Sequence, residues 1–356
     1  MEATASRERN RAMDVVKAIA ILSVVLAHAA PPGIVVEVVQ IYYIAAFFFV
    51  SGYFFRTEYF TDLSLLIRRR VLPLYAVFVA WNFAFLVFEI GVLAPALRAL
   101  GVDAGFDHQL AYVPRAAASI LGLSGVYSLA GALWFVISLI TATVLFGLIG
   151  YVAYRLPSWA TWTFVRLAVL GCFLLGFGPD TFLRWPSHTD TALVGLVVLY
   201  AGYRYRNHER WVPLVPVAAA LATAEVYLLR GQVDMTIDTY RGLLVFVVAV
   251  GSGIYALLYA SNRLQRVSLL AYIGQNSLFI AATHILAFKL VTLGRVIVLD
   301  LPVQQLVSFP VASGRTWWVA YFLVGIGVPV AVKRVLDPVL EARKRRRHPP
   351  EVVPAT

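Results

Sequence analysis

Three ionisable residues share the first apolar stretch of the chain: Asp14, Lys17 and His28. A helix turns by about 100° per residue, so the step from Lys17 to His28 makes three turns and about 20°, and the step from Asp14 to His28 makes four turns less about 40°. All three lie on one face. His28 stands about 16 Å beyond Lys17 at 1.5 Å per residue, towards the far end of the segment. An ionisable side chain inside a spanning helix is costly unless paired or hydrated, which makes each a candidate for function. Imidazole, with an ordinary pKa of about 6.5, suits a general base. The structural alternatives are that Lys17 snorkels to the interface with Asp14 as its i,i+3 partner, and that His28 caps the helix among head groups.

Such residues need a helix in an apolar medium, and the composition supplies one. Of 356 residues, 60% are hydrophobic and 14% charged, against about 45–50% and about 25% in an average soluble chain. A crossing uses about 20 apolar residues. Apolar segments fall near 13–30, 41–55, 71–94, 132–154, 160–178, 190–203, 211–229, 242–260, 270–291 and 316–332. Runs such as Leu72 to Leu93 lack the alternation of a barrel strand. The expected fold is an all-α polytopic bundle of about ten transmembrane helices. Residues 1–340 form one transmembrane domain, and residues 341–356 form a basic, proline-containing cytoplasmic tail. The single cysteine, Cys172, excludes an internal disulfide or a thiolate metal site. His108, His188, His208 and His348 have no metal-ligand partners at useful spacing, and neither GxGxxG nor GxxxxGK[ST] occurs.

The net charge of +11 reports topology rather than nucleic-acid binding. With the N-terminus inside, 20 Lys and Arg residues fall at cytoplasmic ends and 8 at opposite ends, leaving Lys17 and Arg166 embedded. The positive-inside rule then places both termini in the cytoplasm, in a multi-pass protein of the cell (inner) membrane. Ala27-His28-Ala29 also fits a leader cleavage pattern. Asp14 and Lys17 in the first turns favour a retained helix. Polar loops at 95–131, 230–241 and 292–315 fall on the exported side.

Further motifs follow in order: Phe47-Phe-Phe-Val-Ser51-Gly52-Tyr53, Arg68-Arg69-Arg70-Val-Leu-Pro73-Leu-Tyr75, Leu133-Trp134-Phe135, Asp190-Thr-Ala-Leu193 through Gly202-Tyr203, and Ile273-Gly274-Gln275-Asn276-Ser277-Leu278 through His284. Together with Asp14-Val-Val-Lys17 and His28, this series resembles the acyltransferase 3 family, integral membrane O-acyltransferases of exported carbohydrates and some natural products. The likeness spans residues 13 to about 290. Two departures stand out. Lys17 replaces a more usual Arg and lacks its planar fork, and Ile67 interrupts the usual R-x-x-R spacing, which leaves the roles among Arg68, Arg69 and Arg70 undivided.

The resemblance implies acyl transfer, with acetyl the expected group, from acetyl-CoA or another acyl-CoA as co-substrate to a carbohydrate hydroxyl. His28 is then the base, or alternatively carries the acyl group as an acyl-imidazole. Asp14 and Lys17 organise the cytoplasmic half of the cavity. Arg68, Arg69 and Arg70 hold the donor's phosphates, or simply anchor the loop. Ser51, Trp134, Asp190, Asn276, His284 and Arg241 are candidate substrate-binding residues, with His284 able to assist His28. Asp234, Asp238 and Tyr240 join the exported face by placement alone. Some have a structural alternative: Ser51-Gly52 as a close helix contact, Trp134-Phe135 as core or interfacial anchor, Asn276 and Ser277 as interhelical glue.

The expected partners are acyl-CoA, a carbohydrate or glycolipid acceptor and membrane lipids, with no nucleic acid; a homodimer is allowed. Acylation of a small secreted metabolite or glycosylated antibiotic is a variant of the same function. A transporter or flippase for a sugar-containing substrate is the competing class, and inverted repeats and helices broken at the midplane, which would mark it, do not stand out. Arg166, Glu89 and Glu225 have no assigned role.

Overall fold

The structure, a computed structural model, describes residues 10–101, 109–126, 128–177, 188–206, 233–236, 239–240, 242–311 and 316–347. Its helices are α1 (Arg11–His28), α2 (Gly33–Gln40), α3 (Tyr43–Tyr53), α4 (Leu63–Ala99), α5 (Gln109–Leu121), α6 (Trp134–Ala153), α7 (Ser158–Gly176), α8 (Thr189–Arg206), α9 (Leu243–Leu264), α10 (Ser268–Gln275), α11 (Ser277–Val298) and α12 (Trp318–Arg347). A two-stranded antiparallel hairpin, β1 (Val233–Asp234) with β2 (Thr239–Tyr240), precedes α9.

Among the described residues, seven helical stretches are long and apolar enough to cross a membrane. The chain is an all-α polytopic membrane protein. α1 and α8 have the length of a span, at 18 residues each, but carry three charges apiece: Arg11, Asp14 and Lys17 in α1, and Asp190, Arg204 and Arg206 in α8. The expected segment at 211–229, with Glu225, lies outside the described residues.

Local chemistry explains several boundaries. Asn10 caps α1 by accepting from the Met13 N–H at 3.2 Å, and its amide donates to the Tyr53 hydroxyl at 2.6 Å. The start of α1 is thereby tied to the end of α3. At the other end Pro31-Pro32 stops α1, and Ala30 adopts a left-handed φ of 58°, turning the chain into α2. Within α4, π-helical turns at Ile67–Val71 and Glu89–Leu93 precede Pro73 and Pro95. A proline ring clashes with the carbonyl four residues back and supplies no N–H; those carbonyls belong to Arg69 and Gly91, inside the widened turns.

Glycine sets the closest crossings. A Cβ on Gly52 of α3 would lie 1.8 Å from the Leu199 carbonyl oxygen, and one on Gly202 of α8 would lie 2.0 Å from the Phe49 carbonyl oxygen. These two glycines admit each other's backbones, as small residues do in bilayers. Gly274 of α10 does the same against α1, where a Cβ would lie 1.7 Å from the Asp14 carbonyl oxygen.

α1 is the central helix, packed on α2, α3, α9, α10, α11 and α12. Its residues are buried around most of its circumference, so its polar side chains meet protein. A second group gathers α3, α6 and α7 about α8.

Two loop expectations are corrected. The stretch at 95–131 contains the end of α4 and the 13-residue α5, whose last carbonyl, at Leu121, accepts from Tyr75 at 2.9 Å. The segment at 270–291 is two helices broken at Asn276, and the second continues to Val298. Arg295 therefore sits within α11 rather than in a loop, and Lys289 lies well inside that helix rather than at its end. Their charges turn inward: Lys289 donates to the Ser308 carbonyl, and Arg295 donates to the Tyr321 hydroxyl at 3.0 Å. The final helix passes position 340 without interruption and ends at Arg347, so the basic run begins inside it.

Candidate active site

The stripe on α1 faces one continuous partner, the broken rod α10–α11. At its first end the Lys17 ammonium lies 2.8 Å from Asp14 Oδ1. The other carboxylate oxygen, Oδ2, accepts from Gln275 Nε2 at 3.3 Å. Asp14 is buried, and the Lys17 side chain keeps 23% of its exposure. The carboxylate is thus held between an ammonium and an amide at the edge of the bundle.

At the other end, His28 Nδ1 lies 3.0 Å from His284 Nε2. The ring centroids are 5.2 Å apart with planes inclined by 18°. That separation exceeds the N···N distance by about two ring radii, so the imidazoles lie edge to edge near one plane. This is a hydrogen-bonding geometry rather than a face stack. His284 Nδ1 in turn lies 3.0 Å from the Ile280 carbonyl oxygen. His284 has no exposed surface, whereas His28 is only half-buried.

α11 continues fourteen residues past His284, about 21 Å at 1.5 Å per residue. His28 therefore meets α11 well before the end of that helix, and α2 and α3 pack back along α1.

The arginine triplet divides. Arg70 turns inward and donates to both the carbonyl oxygen and the hydroxyl of Ser51, each at 2.9 Å. Arg68 and Arg69 are exposed. The three lie in the first π-turn of α4, and the rotation of about 100° between successive helical residues lets one turn inward while its neighbours face out.

The remaining candidates make polar or ring contacts of their own. Asn276 donates to the Tyr272 carbonyl at 2.9 Å at the helix break. Asp190 accepts from the Thr191 N–H at 2.9 Å in the first turn of α8. Trp134 packs on His188 with ring centroids 4.7 Å apart, and the Ser138 hydroxyl donates to the His188 carbonyl at 3.0 Å. Burial pushes the His188 imidazole below its ordinary range, with the nearby Asp190 carboxylate opposing. Asp234 accepts from the backbone N–H and hydroxyl of Thr236 at 2.7 and 2.6 Å, and Tyr240 stacks on Phe177. Arg241 and Asp238 lie outside the described residues. Arg166 is exposed midway along α7, and Glu89 is buried in the second π-turn of α4.

Gln275 is the residue that motif reading passed over. It occupies the variable position of Ile273-Gly274-Gln275-Asn276, and only the contact with Asp14 reveals it.

A helical bundle with membrane-spanning stretches, whose central helix carries an ion pair near one end and a half-buried imidazole against a buried one at the other, is a multi-pass membrane protein. Residues 10–334 match the acyltransferase 3 family, described as an acyltransferase domain. The chain belongs to that family and is a membrane acyltransferase. No curated protein and no solved structure matches it.

Proposed function

We propose that the protein moves an acetyl group from cytoplasmic acetyl-CoA to a hydroxyl of an exported or surface carbohydrate, with His28 as general base. The observation that carries this reading is the half-buried His28 imidazole inside the bundle, backed by the buried His284. His28 takes the proton of the acceptor hydroxyl as its oxygen attacks the thioester carbon. The C–O bond forms, the C–S bond breaks, and the proton passes from His28 to the departing thiolate. General base catalysis of this kind contributes about 10²–10⁴-fold.

The donor's phosphates are assigned to the exposed Arg68 and Arg69 through charge-assisted hydrogen bonds. Arg70, held on Ser51, fixes the turn that presents them. Both termini, with the Lys17–Asp14 end of α1, are placed in the cytoplasm, where acetyl-CoA is available. Trp134, Asp190 and Arg241 are assigned to the acceptor side.

The test is transfer of labelled acetyl from acetyl-CoA to candidate glycans in membranes carrying the protein. His28→Ala is expected to lose about 10²–10⁴-fold in kcat while eluting as a monodisperse species in detergent. Undiminished transfer by that folded variant removes His28 from the chemistry. If the protein supports export of an unmodified sugar without acyl transfer, the flippase reading takes its place.

A further inference from the structure

The geometry points to His284 as a positioning residue that fixes which nitrogen of His28 is the base. A carbonyl oxygen accepts only, so the 3.0 Å contact with the Ile280 carbonyl places a proton on His284 Nδ1. His284 has no exposed surface, and its polar neighbours are backbone carbonyls and a second imidazole. An imidazolium there is heavily disfavoured, and the ring is neutral. Its Nε2 then carries a lone pair and must accept from His28 Nδ1–H. One proton on His28 is thereby committed to Nδ1. Its Nε2, the other edge of a half-buried ring, is left bare and basic.

Four residues separate Ile280 from His284, one helical turn, so the relay is set by the regular backbone of α11. It is anchored at the rigid end. The edge-to-edge ring geometry also fixes the orientation of the His28 ring, so its bare nitrogen points away from His284. When His28 gains the acceptor's proton, the imidazolium keeps its Nδ1–H on His284 Nε2 and no second proton has to move. The orienting atom is a neutral imidazole nitrogen, one hydrogen bond removed from a backbone carbonyl.

The catalytic half of this inference rests on His28 being the base; the tautomer half does not. The experiment uses the full chain in detergent or nanodiscs, labelled with ¹⁵N-histidine, and the variants His284→Ala, His284→Gln and His28→Ala. In the wild type the His28 signals, assigned by their loss in His28→Ala, are expected to show a protonated Nδ1 and an unprotonated Nε2. His284→Ala is expected to mix the two tautomers and to lower kcat by at least about tenfold, within the 10²–10⁴-fold of the whole base contribution, with KM for acetyl-CoA unchanged. His284→Gln, whose amide oxygen accepts from Nδ1–H, is expected to restore the single tautomer and most of kcat.

The inference is overturned if His28 protonates Nε2 in the wild type, or if His284→Ala leaves the tautomer unchanged. It is also overturned if His284→Gln behaves as His284→Ala in both readouts. Full activity of His28→Ala beside the expected tautomers would instead remove only the base assignment.

Discussion

At the scale of single residues, the spacing of Asp14, Lys17 and His28 already fixes their common face, and the structure shows that face turned towards α10 and α11. The ion pair makes a direct prediction. Lys17→Met takes the ammonium away from the buried Asp14 carboxylate, a loss of about 1–3 kcal/mol for a buried group deprived of a charged partner. The Tm of the detergent-solubilised protein should fall accordingly, whereas Lys17→Arg should stay within about 1 kcal/mol. A Tm unchanged in Lys17→Met would mean that the ammonium is not structural and is held ready for a ligand. The residue types and the face were legible; the partners were not. Gln275 and His284 are 261 and 256 positions away from Asp14 and His28, and no local period specifies a contact over that distance.

At the scale of elements, the motifs that share the family pattern prove to be of two physical kinds. Ser51-Gly52, Gly202-Tyr203 and Ile273-Gly274 hold the glycines that let α3 cross α8 and α10 cross α1, while His28 and His284 meet inside the bundle. Gly202→Ala places a methyl 2.0 Å from the Phe49 carbonyl oxygen, so the helices must separate. The expected cost is at or above the usual overpacking range of about 1–3 kcal/mol, read as a lower Tm and less monodisperse protein. Gly171→Ala in α7 is the control, since nothing lies within 4 Å of its Cβ. It should gain up to about 1 kcal/mol from helix propensity. Equal behaviour of the two variants would refute the close-crossing account. The break at Asn276 and the π-turns of α4 escaped the hydropathy reading, because a window that averages apolarity is blind to a one-residue change in backbone winding.

At the scale of the whole molecule, the distribution of Lys and Arg predicts sidedness, and the single native cysteine makes it measurable. In a Cys172→Ser background, Glu58→Cys lies in the α3–α4 connection and Gln304→Cys in the α11–α12 connection; both positions are exposed. A membrane-impermeant maleimide should label Gln304→Cys in intact cells and Glu58→Cys only after permeabilisation. The reverse pattern would invert the orientation and place the arginine cluster on the exported side, where acetyl-CoA is not available.

The sequence by itself determined the helical class, the position of nearly every described crossing, the polar stripe of α1 and the family, because apolar length and residue period are properties of short windows. The tertiary structure alone decided that Arg70 belongs to Ser51 while Arg68 and Arg69 stay exposed. It also decided that Lys289 and Arg295 turn inward, and that His28 lies against a second imidazole within the bundle. Each of these depends on which helix packs beside which, and that choice is made by the fit of distant backbones at Gly52, Gly202 and Gly274 rather than by any run of neighbouring residues.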